Sequence, residues 1–148
     1  MKYTEVKTGR TFVLRLEDGD IIHETIEQFA IDKKFNTALV MFLGGADKNS
    51  KLVVGPKEGR ASHIEPMEHI LEDVHEVAGV GTIFPNENGV PVLHAHLTAG
   101  RNNKAVTGCI RRGVKVWLIL EVVIQEFTDC SALRRLEPDS GFELLQVK

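Results

Sequence analysis

Cysteine is scarce: the chain has two in 148 residues. Two thiols cannot build a disulfide framework, and the expected compartment is a reducing cytoplasm. A chain of this length buries about 68–70% of its unfolded surface, so it needs no covalent staple. A surplus of one charge is also missing. Eighteen basic and 21 acidic residues leave −3 with histidine neutral. A general electrostatic binder of nucleic acid usually carries a basic excess, so composition argues against that class. Long apolar runs are absent too. The strongest, Val116 to Ile124, is interrupted by Glu121, and a membrane-spanning helix needs about 20 apolar residues. The first eleven residues are polar and mixed in charge, without the basic and then apolar pattern of a secretory signal. Neither G-x-x-x-x-G-K-[ST] nor a post-strand G-x-G-x-x-G occurs, so no phosphate loop is expected. There is no C-x-x-C pair and no G-x-S-x-G elbow.

What is present is ordinary for a soluble globule: 43% hydrophobic and 26% charged residues. We expect one domain spanning residues 1–148. Thr11 to Leu16 alternates as a strand, and Asp18-Gly19 turns the chain. Ile21 to Phe35 has helical spacing, with Ile22, Ile26, Phe29 and Ala30 on one face and Asp20 as its expected N-cap. Thr37 to Leu43 and Lys51 to Val54 read as strands. Pro56 to Asp73 is charged and aperiodic, and is expected to be a loop with one helical turn. Glu76 to Phe84 is a strand whose Gly79 and Gly81 share a face, which permits close approach of a backbone or a ligand. Asn88-Gly89 signals a hairpin into the strand Pro91 to Thr98. Ala105 to Arg111, Val114 to Phe127 and Gly141 to Val147 complete the strands. One early helix followed by hairpin-linked strands predicts an α+β fold with a largely antiparallel sheet.

The chemistry centres on Leu93-His94-Ala95-His96-Leu97. Alternation puts both imidazoles on one strand face and the three apolar side chains on the other. Two imidazoles so placed can meet one metal ion, and a thiolate on the next strand, Cys109, makes a set that suits zinc or another first-row metal. The plain alternative is two polar residues on a solvated strand face beside a structural cysteine. Glu121 lies on the more mixed face of its strand. It is either an acceptor that orients a ligating imidazole, or itself a ligand, or an exposed group paired with a basic residue. Arg101 and Arg111 lie near the cluster in sequence. They are candidates to hold a small anionic ligand by paired hydrogen bonds, and Arg111 is alternatively a bridge to a carboxylate across a subunit contact. His75 is a candidate fourth ligand. His23, His63 and His69 read as solvated, and Cys130 as a plain thiol.

The residues also resemble the PPC family, the domain shared by plants and prokaryotes. The resemblance runs through Gly9-Arg10-Thr11-Phe12, Ala38 to Gly45 and Gly79-Val80-Gly81-Thr82-Ile83. Its centre is Pro91-Val92-Leu93-His94-Ala95-His96, Gly100-Arg101 and Gly108-Cys109-Ile110-Arg111. It ends in Glu121 to Ile124, Arg134 or Arg135, and Gly141-Phe142-Glu143-Leu144-Leu145. It implies a mostly antiparallel sheet with few helices, a homotrimer, and a divalent transition metal, zinc first, held by three histidines. Here the third histidine is replaced by Cys109 in Thr107-Gly108-Cys109. Plant members contact DNA through AT-hook segments, and this chain has no Arg-Gly-Arg-Pro hook. The resemblance therefore leaves three functions to compare: a metal-binding protein, a metal-dependent enzyme acting on a small anion, and a DNA-associated regulator.

Overall fold

The computed structural model describes residues 1–61, 63–138 and 140–147. Strand β1 (Lys7–Glu17) leads into α1 (Ile22–Lys33), followed by β2 (Ala38–Ala46), β3 (Lys51–Pro56) and β4 (Pro66–Ile70). Then come β5 (His75–Pro85), β6 (Pro91–Arg101), β7 (Lys104–Cys109), β8 (Val116–Thr128), β9 (Leu133–Glu137) and β10 (Phe142–Gln146). Eight strands form one sheet in the order β1-β8-β2-β5-β6-β7-β3-β4, and β9 and β10 make a separate hairpin. The pairings are antiparallel. The expected α+β architecture is therefore the observed one.

One face of the sheet is buried under α1. Ile22, Ile26 and Ala30 point from the helix into a core with Val40, Leu97 and Ile124. The rings of Phe12, Phe29 and Phe35 close its edge, with Phe12 5.3 Å from Phe29 and 5.5 Å from Phe35. The helix ends at Lys33 because Lys34 turns left-handed at φ 57°, and the Phe35 amide reaches back to the Ala30 carbonyl at 3.1 Å. That closure satisfies carbonyls the last turn would leave bare.

Several expectations need correction. Asp20 is not the N-cap; Ile21 occupies that position with no side-chain cap bond. The Asp20 carboxylate instead accepts the Glu17 amide at 2.9 Å, and the Val114 carbonyl satisfies the Ile22 amide at 3.0 Å. The stretch expected to be a loop with a helical turn contains β4 and no helix among its described residues. β4 is an edge strand, mostly exposed, so neither of its faces demands apolar alternation. The Asn88-Gly89 hairpin is present, but as a five-residue connection between the paired Pro85 and Pro91. In β8, strict alternation would set Leu118 beside Val116 and Leu120 on the core face. It lies exposed, because its φ of +64° and a register shift against Gly44 and Gly45 turn it outward.

Gly79 and Gly81 are filled from inside the fold. A Cβ at Gly79 would strike the Phe42 ring and come within 2.8 Å of the His96 carbonyl oxygen. One at Gly81 would strike the Ala95 methyl and come within 2.7 Å of the His94 carbonyl oxygen. Of the two expected neighbours, the backbone of β6 is the one observed, and it is drawn tightly onto β5.

The face away from α1 is largely open. Residues in register across it run Val13, Val123, Met41, Val80, His96 and Cys109. Val13, Met41 and Val80 are exposed although apolar.

Candidate metal centre

Along β6, Leu93, Ala95 and Leu97 are buried while His94 and His96 are exposed on the open face. This is the alternation read from the sequence. Cys109 stands directly opposite His96 on β7. One ligand atom each from His94, His96 and Cys109 lie within 4.8 Å of one another. The two imidazoles meet edge-on at 80°, with their Nε2 atoms 3.2 Å apart. Two nitrogens held about 2.0–2.1 Å from a tetrahedral zinc would stand about 3.3–3.4 Å apart, so the spacing fits a shared ion. Two neutral imidazoles and a thiolate are also a donor set that zinc accepts.

The electrostatics favour the ligating form of His94. Burial comes first, then the charges of Arg134, His96 and Arg111, and together they hold His94 below the usual imidazole value. A neutral imidazole needs no deprotonation before it binds a metal.

Other candidates fall elsewhere. Arg101 lies five positions beyond His96, about 17 Å along the strand. It is tied to Asp73 and to the Val74 carbonyl. His75 turns its Nδ1 to the Asp73 carbonyl oxygen at 2.8 Å, near that same end of the sheet. Glu121 is exposed on β8, three strands from β6 and about 14 Å across the sheet. Arg111 stays close to the cluster, but its guanidinium is occupied. Its Nη1 donates to Glu27 Oε1 of α1 at 2.9 Å and its Nη2 to the Leu93 carbonyl. Glu27 Oε1 also accepts the Leu93 amide at 2.7 Å. The carboxylate expected for Arg111 across a subunit contact is thus replaced by one in its own chain.

Arg134 is the residue the sequence reading missed, carried there only as an optional part of a terminal pattern. It is 4% exposed and projects from β9 onto the open face. Its Nη2 donates to Thr82 Oγ1 at 3.1 Å, and Thr82 is the cross-strand partner of His94. Alternation sets Arg134 and Arg135 on opposite faces of β9, but it does not say which of the two is covered or by what.

Residues 3–128 match the model of the Plants and Prokaryotes Conserved domain, abbreviated PCC or PPC. The chain belongs to this family. A plant- and prokaryote-conserved protein of Pyrococcus horikoshii has the same fold, with a TM-score of 0.84, 21% identity, and 100% of this chain and 99% of that chain covered. A protein of Archaeoglobus fulgidus described as metal-containing matches with a TM-score of 0.83 and 22% identity over 99% of each chain. A candidate DNA-binding protein of Bacteroides thetaiotaomicron matches with a TM-score of 0.75 and 17% identity, over 95% of this chain and 96% of that one. No curated protein matches the PPC chain.

Proposed function

We propose that this PPC protein holds one transition metal ion, zinc first, through His94, His96 and Cys109. The observation that carries this reading is the 3.2 Å separation of the two Nε2 atoms with the Cys109 thiol alongside. The metal-containing relative from Archaeoglobus fulgidus supports it. Three protein ligands leave a coordination position open, the arrangement of catalytic rather than structural zinc sites. A metal-dependent enzyme acting on a small anion is therefore compatible with the same residues. The assembly we propose is a homotrimer, and the exposed apolar residues Val13, Met41, Leu43 and Val80 support a subunit contact on the open face.

The test is metal analysis of protein purified from metal-replete medium. Wild type should carry about one ion per chain, while His94→Ala and Cys109→Ser should carry little. A wild type without metal ends this reading.

DNA association is the second reading, favoured by a relative described as a candidate DNA-binding protein. Charge weighs against it, since three chains at −3 give −9 for a trimer. A salt-dependent shift of duplex DNA would support it, and no shift at low salt would remove it.

A further inference from the structure

Arg134 is a buried cation without an anionic partner in hydrogen-bond reach among the described residues. Its Nε donates to the Val92 carbonyl at 3.4 Å. Its Nη2 donates to the Thr82 carbonyl at 3.2 Å and to Thr82 Oγ1 at 3.1 Å. All three acceptors are neutral, and Nη1 is left over. The guanidinium also lies 5.8 Å from the Phe84 ring centre, a contact that stabilises a cation without neutralising it. An arginine does not escape burial by deprotonating in a protein, so the charge persists. Buried charges are ordinarily paired, because leaving water is costly.

The carboxylates around it do not fill this role. Glu143 of β10 acts on Arg134 only through space and is exposed. Glu27 is bonded to Arg111 and to the Leu93 amide. These bonds place the guanidinium beside the metal cluster. Thr82 is opposite His94, and Val92 precedes His94 by two on the same strand face. A zinc ion with two neutral imidazoles and one thiolate would leave a net charge of +1. With Arg134 the ion and its ligands then sum to a net charge of +2.

We propose that Arg134 binds a small carboxylate in the corner formed by Thr82, Val92 and His94, beside the metal cluster. This rests on the metal-binding reading above. The carboxylate class follows from the donors. Nε and both hydrogens of Nη2 are taken by Val92 and Thr82, so Nη1 is the nitrogen left, enough for one oxygen of a small carboxylate. A phosphate would call for further donors, and Arg111 is engaged while no glycine-rich loop or helix N-terminus is placed there among the described residues. Arg134 is thus the residue that selects charge, and the His94–His96–Cys109 set is the residue group that would fix the metal.

The experiment uses the full chain loaded with cobalt(II), whose visible spectrum reports changes next to the ion. Acetate and inorganic phosphate are titrated into wild type, Arg134→Gln and Arg134→Lys. Cobalt content and thermal melting are recorded for each. Acetate should perturb the wild-type spectrum saturably. Arg134→Gln should weaken acetate at least tenfold with cobalt content unchanged, and Arg134→Lys should fall between. Should Arg134→Gln fail to fold, the comparison of Arg134→Lys with wild type decides. The proposal is overturned by cobalt-loaded wild type that ignores acetate, by variants that bind acetate as wild type does, or by phosphate binding the tighter. A wild type that takes up no cobalt overturns the metal reading, and this one with it.

Discussion

The Nε2 atoms of His94 and His96 face each other at 3.2 Å. Two imidazole nitrogens that close need a shared proton or a shared cation between their lone pairs. If the cation is zinc, it binds the folded chain and not the unfolded one. Zinc should then raise stability by about 2.7 kcal/mol when the free ion is a hundredfold above its Kd. A chelator should lower the melting temperature of wild type and leave that of His94→Ala unmoved. Calorimetry with and without zinc checks this.

Gly81→Ala should loosen both the sheet and the cluster. The added methyl would collide with Ala95 and press on the His94 carbonyl. Overpacking of this kind costs about 1–3 kcal/mol. Urea denaturation should register the loss, and zinc affinity should drop with it because β6 carries both histidines.

On the helix side, Ile26 is fully buried against the sheet. Ile26→Ala should cost about 2–5 kcal/mol through lost burial and a residual cavity. Metal content of the folded fraction should be unaffected, since Ile26 lies under the opposite face. A variant that loses metal before it loses fold would contradict this separation.

Acid should weaken the chain through Glu126. The Arg10 guanidinium grips both its oxygens, at 2.7 and 3.0 Å, and holds its carboxyl below the usual value. A carboxyl lowered on folding stabilises above its unfolded pKa of about 4.3, and that contribution is lost as pH falls through the folded value. Glu126→Gln should flatten the acid limb of the stability curve. Melting temperatures between pH 3 and 6 measure it.

His23 acts in a neighbouring window. Burial, then Arg111, lowers its pKa against the opposing pull of Glu27 and Glu24, and its Nδ1 is buried without a partner. Above pH 6.5 it is neutral folded or unfolded, so it adds no slope there. Below that value the unfolded chain takes up the proton more readily, and stability falls. His23→Leu should remove the decline that begins near pH 6.5, read from the same melting series.

The parts of this fold that were legible in the sequence are those where one face is buried. His94 and His96 were phased correctly because Leu93, Ala95 and Leu97 fix the other side of β6. α1 was found from Ile22, Ile26 and Ala30 for the same reason. β4 gave no pattern, because an exposed edge strand has no face to hide. Leu118 followed the apolar alternation on paper, but a backbone bulge breaks that alternation without changing residue type. Arg101 is near the cluster along the chain, and Glu121 stands out as a carboxylate on the mixed face of an apolar strand. Distance along β6 separates the first from the cluster, and β2 and β5, lying between β8 and β6, separate the second. Arg134 was hidden because its position depends on a hairpin folding back over β5, a long-range event that no local spacing encodes.

That hairpin brings the corner together from separate parts of the chain. His94, His96 and Cys109 stand on β6 and β7, while Arg134 arrives on β9. A change in the β9–β10 segment would exchange the cation above the cluster and leave its three donor atoms where they are. Replacing Arg134 alone is in this way expected to change what the cluster meets and to spare the donors that would hold the ion.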